Sequence, residues 1–76
     1  MVHIGKIIEA EVKKRGCTKV WLARKINCDH SNINHIFKRQ SIDAEQLLKI
    51  SNALEINFFE YYVQELDSEF FSHNRE

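Results

Sequence analysis

The sequence predicts an all-α fold, and three features of it carry that prediction. It holds no proline and only two glycines in 76 residues. Its apolar residues recur at spacings of three and four, as the face of a helix does, along almost the whole chain. At several boundaries a capping residue stands just before an apolar run, with a hydrophobic residue on either side of it. Hydrophobic residues make up 43% of the chain, enough for a core. A chain this short forms one domain and buries only about 60% of its unfolded surface.

A first helix is expected from about Ile4 to Arg15, with Ile4, Ile7, Ile8 and Val12 as its buried stripe. Lys13, Lys14 and Arg15 crowd its last turn, where they favour the negative end of the helix dipole, and Gly16 stops it. Thr18 is the N-cap of a second helix ending at Asn27, with Leu22, Ala23 and Ile26 on its inner face. The small side chain of Ala23 lets a third helix cross close by. Asn27-Cys28-Asp29 then forms a tight turn: Asn tolerates left-handed geometry, Cys28 is small and apolar, and Asp29 is a strong N-cap. Cys28 and Ile33 are placed as a hydrophobic staple for the third helix, which buries Ile33, Ile36 and Phe37.

Asp43 caps a fourth helix, with Gln46 at its third position and Ile42 and Leu47 as a staple. This helix is expected to bury Leu47, Ile50 and Leu54, with Leu48 and Ala53 widening the apolar face. Asn57 caps a fifth, with Glu60 at its third position between Ile56 and Tyr61. Six of the eight aromatic residues then fall in 58–71. Phe58, Tyr62, Leu66 and Phe70 form an i, i+4 stripe, so either the fifth helix is long or a short turn follows Asp67. One small core can hardly enclose all six, and a leftover apolar patch marks an interface. Tyr62, Leu66, Phe70 and Phe71 are assigned to a homodimer contact.

Net charge is zero, but its distribution is not even. Residues 1–40 hold nine Lys or Arg against Glu9, Glu11 and Asp29, an excess of +6. Residues 41–76 hold Lys49 and Arg75 against eight acids, an excess of −6. Such asymmetry suggests one half that faces a polyanion and another that is solvated or faces a protein. Within the basic half, His30, Ser31, Asn32, Asn34, His35 and Lys38 occupy the remaining face of the third helix. All but Lys38 are short and neutral, a set suited to hydrogen bonding with base edges in a groove.

From Thr18 to Arg39, TKVWLARKINCDHSNINHIFKR, and more loosely from Ile4 to Tyr62, the chain resembles the Cro/cI-type (XRE-like) helix-turn-helix domain of phage and bacterial repressors. Leu22, Ala23, Ile26, Cys28, Ile33 and Ile36 occupy that family's apolar positions in order, and LLKISNALEI resembles its fourth helix. The resemblance implies a compact five-helix lambda-repressor-like DNA-binding domain with the helix-turn-helix at helices two and three. The five helices would take 4–62, leaving 63–76 as a C-terminal extension for dimerisation.

It further implies a transcriptional regulator, in the first instance a repressor, that inserts the helix 30–37 into the major groove of double-stranded DNA. Base-reading positions fall on His30, Ser31, Asn32, Asn34 and His35. Phosphate-anchoring positions fall on Thr18, Lys19, Lys38, Arg39 and Ser41. The chain departs from the family at three places. Asn27 stands where the turn usually has glycine, Lys19 where a glutamine contacts a phosphate, and Lys38-Arg39-Gln40 where a glycine follows the recognition helix.

Other classes fare less well. No Ser-His-Asp set, phosphate loop or paired carboxylates support an enzyme. Cys28, His30 and His35 do not make a metal site, because His30 and His35 lie about 140° apart on a helix. No cofactor is expected. Cys17 and Cys28 read as free thiols. The rival is an antitoxin-like or other protein-interaction module of the same fold, whose acidic, aromatic C-terminal half binds a protein partner. The N-terminus does not resemble a signal peptide, and no apolar run approaches ~18 residues, so a cytoplasmic protein without membrane contact is expected.

Overall fold

Five helices account for the residues described, 1–66, in a computed structural model of the chain. They are α1 (Ile4–Lys14), α2 (Lys19–Lys25), α3 (His30–Lys38), α4 (Ala44–Leu54) and α5 (Phe59–Val63). No strand occurs among the described residues. α3 packs against both α1 and α2, and α2 also meets α4.

Three of the helices end in the same way. Gly16, Asn27 and Glu55 have φ of +72°, +59° and +56°, the left-handed region. The next amide then reaches back across the last turn: Cys17 N–H to Val12 O at 3.0 Å, Cys28 to Ala23 at 2.9 Å, and Ile56 to Ser51 at 3.0 Å. This closure satisfies carbonyls that a helix end leaves free, and it turns the chain sharply. Asn27 therefore takes the left-handed turn that glycine usually supplies. Glu55 does the same without any side-chain advantage, an end that the sequence did not announce.

Two of the four expected N-caps make the expected bond. The Thr18 hydroxyl accepts from Trp21 N–H at 3.0 Å, and the Asp43 carboxylate from Gln46 N–H at 2.7 Å. His3, for which no role was foreseen, caps α1 by accepting from Lys6 N–H at Nδ1, 3.2 Å. Asp29 sits at the N-cap of α3 but its side chain makes no capping bond. The N-cap of α5 is Phe58 rather than Asn57, which stands one residue before it: Asn57 Oδ1 accepts from Phe59 N–H at 3.1 Å while Nδ2 donates to Glu60 at 3.4 Å.

The core gathers Ile4, Ile8 and Val12 of α1, Leu22, Ala23 and Ile26 around α2, Ile33, Ile36 and Phe37 of α3, and Leu47, Ile50 and Leu54 of α4, closed by Phe58. Each large side chain so buried contributes about 1.5–3 kcal/mol. Several expectations need correcting. α1 ends at Lys14 and α2 at Lys25, because Arg15 and Ile26 already belong to the closing turns. Ile7 and Ala53 are only partly buried, and Leu48 is 51% exposed, since it lies at the edge of the α4 stripe. α5 is short, with a further turn reaching Leu66, and Tyr62 is half-buried. Phe58 is fully enclosed and Phe59, Tyr61 and Tyr62 pack partly against the core. Phe70 and Phe71 lie outside the described residues.

Candidate nucleic-acid interface

The candidate recognition helix, α3, is fixed by its apolar side. Ile33, Ile36 and Phe37 are buried against α1 and α2, with exposures of 0%, 2% and 6%. At about 100° per residue, burying those three points Ser31, His35 and Lys38 directly outward. His30 and Asn34 flank that ridge on one side and Asn32 on the other. All of these are exposed except Asn34, which is half-buried. Among the described residues, none of the side chains of His30, Ser31, Asn32, Asn34 and His35 hydrogen-bonds to another protein group. The helix thus carries five unspent polar groups around its solvent-facing arc, with His30 and Asn32 about 160° apart at its two edges.

The basic side chains at its two ends are free of ion pairs among the described residues. Two of the three acids of the basic half are engaged on α1, Glu9 with Lys13 at 3.5 Å and Glu11 with Arg15 at 3.7 Å. Lys19, Lys38 and Arg39 make no ion pair among the described residues. Thr18, Lys19, Lys38, Arg39 and Ser41 are all exposed. Thr18 uses its hydroxyl oxygen as the α2 cap and keeps its O–H free to donate. The structure thus brings Thr18 and Lys19 to the start of the helix that packs on α3, and Lys38, Arg39 and Ser41 to the chain leaving α3.

That exit is held by a contact the sequence reading missed. Ile4 N–H donates to Gln40 O at 2.9 Å and Gly5 N–H to Arg39 O at 3.0 Å. The first free amides of α1 therefore satisfy the carbonyls beyond α3. Gly5 is buried because the approach is so close: a Cβ there would collide with the carbonyl oxygens of Ile36, Phe37 and Arg39. Arg39 itself is extended, at φ −83° and ψ 135°, so no glycine is required after α3. A glycine inside an otherwise apolar-periodic helix was the available signal.

The turn between α2 and α3 places Cys28 half-buried, its thiol donating to Asp29 O at 3.4 Å. Both cysteines are free. No helix among the described residues is long and apolar enough to cross a membrane.

The chain superposes on the crystal structure of a tyrosine-to-alanine mutant of the restriction-modification controller protein C.Esp1396I with a TM-score of 0.69 and 25% sequence identity. The match covers 95% of this chain and 94% of that one. No family model matches the sequence, and comparison with curated proteins returns no match. The likeness supports the Cro/cI-type resemblance, and the fold is the five-helix lambda-repressor-like one, with α2 and α3 as the helix-turn-helix.

Proposed function

We propose that this protein is a sequence-specific DNA-binding transcriptional regulator that seats α3 in the major groove. The observation that carries this reading is the outward face of α3, whose polar side chains make no bond within the described protein and stand on a buried helix-turn-helix frame. Its likeness over nearly its full length to a controller protein supports the same class, and favours a regulator over an enzyme or a pure interaction module.

In this reading His30, Ser31, Asn32, Asn34 and His35 face base edges. Asn34 pairs well with adenine, and a histidine ring with guanine. Thr18, Lys19, Lys38, Arg39 and Ser41 hold phosphates on either side and fix the register of the helix. One such helix reads few base pairs. Two copies joined through the C-terminal extension, 63–76, would place two helices about 34 Å apart on a near-palindromic site. Tyr62 and Leu66, with Phe70 and Phe71, are the residues proposed for that contact, and its acidic surroundings keep it away from DNA. Repression by occupying a promoter in the cytoplasm is the output this reading implies.

Selection of bound duplexes from a random library, followed by titration of the winner against salt, tests the proposal. If about five to eight phosphates are neutralised per dimer, log K falls with log salt at about −0.9 per contact. Absence of binding to any duplex at low salt would overturn it and return the interaction-module reading.

A further inference from the structure

Lys19 is an awkward cation. It opens α2 at the positive end of the helix dipole, and the first turn of that helix carries no acid to offset it. It makes no ion pair among the described residues. Its ammonium instead lies 6.0 Å from the centroid of the Phe37 ring, over its face. Phe37 belongs to the last part of α3 and is only 6% exposed, so the ring is fixed by the core and cannot follow the lysine. A second such pair, Lys25 over Trp21 at 5.7 Å, sits at the favourable C-terminal end of the same helix, where the dipole already welcomes a cation. The two lysines differ in that respect: only at Lys19 does the ring oppose the dipole.

We propose that Phe37 is a positioning residue for DNA binding, its ring face holding the Lys19 ammonium where a phosphate of the bound duplex meets it. This deepens the DNA-binding reading above and rests on it. A lysine free in water loses rotamer entropy when it pairs with a phosphate. A ring that already gathers the ammonium reduces that loss. The negative face of the ring also leaves the other side of the ammonium, with its N–H donors, turned to solvent. Phe37 therefore has two duties: it fills the core beneath α3, and it links the frame of α3 to the phosphate contact on α2. Both helices then register on the duplex as one body.

The experiment replaces Phe37 with phenylalanines bearing one, three and five ring fluorines, which drain the negative ring face while keeping a ring in place. Thermal unfolding of each protein checks the core. Affinity for the selected duplex is measured in the parent background and in Lys19→Met. The expected result is a stepwise loss of affinity with fluorination, about two- to five-fold at the end of the series, and no loss in Lys19→Met. In the free protein the Lys19 ε-methylene protons should lie upfield in NMR spectra, shielded by the ring, and move back as fluorines are added. Affinity that is flat across the series, or that falls equally in Lys19→Met, overturns the positioning role while leaving DNA binding intact. Lys19 protons at ordinary shifts in the parent overturn it without any variant. If the parent binds no duplex, the DNA-binding reading itself has failed and the phosphate role goes with it.

Discussion

Replacing Gly5 with alanine isolates the contact that joins α1 to the chain leaving α3. In most helix interiors this change is favourable by about 0.5–1 kcal/mol, because alanine loses less backbone freedom on folding. Here the added methyl would meet three backbone carbonyl oxygens, those of Ile36, Phe37 and Arg39. Backbone oxygens cannot rotate aside as a flexible side chain would, so α1 must move away from α3. Overpacking of this kind costs about 1–3 kcal/mol. Moving α1 also stretches the Ile4–Gln40 and Gly5–Arg39 hydrogen bonds, at about 0.5–1.5 kcal/mol each. The steric and hydrogen-bond losses outweigh the gain in propensity, leaving a net destabilisation of about 2–3 kcal/mol. For a domain of this size that corresponds to a fall in melting temperature of roughly 8–24 °C.

Gly16 supplies the control. Its Cβ position is open, with nothing within 4 Å, but its φ is +72°. Gly16→Ala should therefore cost only the strain of a left-handed residue, about 1–2 kcal/mol. Gly16→Asn should recover much of that loss, whereas Gly5→Asn should be worse than Gly5→Ala. Thermal and urea unfolding followed by circular dichroism read all four variants. A Gly5→Ala protein that melts at or above the parent would refute the close-approach argument.

Glu55 carries left-handed strain without being glycine, so Glu55→Gly should stabilise by about 0.5–1 kcal/mol after the added freedom of the unfolded chain is subtracted; a lower melting temperature would contradict this. Asp43→Ala should cost about 1 kcal/mol and Asp29→Ala clearly less, because only Asp43 makes a capping bond; equal urea midpoints would count against that ranking. On the selected duplex, Asn34→Ala and His35→Ala should each lose ~1–3 kcal/mol and relax preference at one or two base pairs, whereas Lys19→Ala should weaken all sequences alike and flatten the salt slope. An unchanged selected motif after Asn34→Ala would remove that residue from the reading set. Sedimentation equilibrium at micromolar concentration should give a dimer for the parent and a monomer for Leu66→Glu, and a parent monomer would end the dimer proposal.

The helix-turn-helix was legible because its determinants are local. Thr18 and Asp43 cap their helices through a bond spanning three residues. Leu22, Ala23, Ile33, Ile36 and Phe37 are all buried where their spacing put them. The outward face of α3 follows from the same spacing by subtraction. What escaped was decided by tertiary packing or by ambiguous endings. Leu48 stands at the border of the α4 stripe, where periodicity alone cannot say which way a residue turns. Glu55 ends α4 in a conformation its residue type disfavours, so composition gave no sign of it. Asp29 has the chemistry of a cap without making the bond, because a residue type states a capacity and the local geometry decides its use.

The departures from the family pattern are connected by the same logic. A helix that ends in left-handed geometry wants glycine or asparagine at that point, and Asn27 meets the need for α2 with φ +59°. α3 ends differently. Arg39 leaves it in extended geometry, and the Arg39 and Gln40 carbonyls take their donors from the first amides of α1 rather than from a closing turn of their own. The constraint on residue type falls instead on position 5, where α1 must come close enough to donate and a Cβ would meet the Ile36, Phe37 and Arg39 carbonyl oxygens. Lys38, Arg39 and Ser41 gain from this arrangement, since a residue that need not be glycine can carry a charge or a hydroxyl. The exit from α3 holds its basic side chains on a backbone anchored by two hydrogen bonds to the first turn of α1.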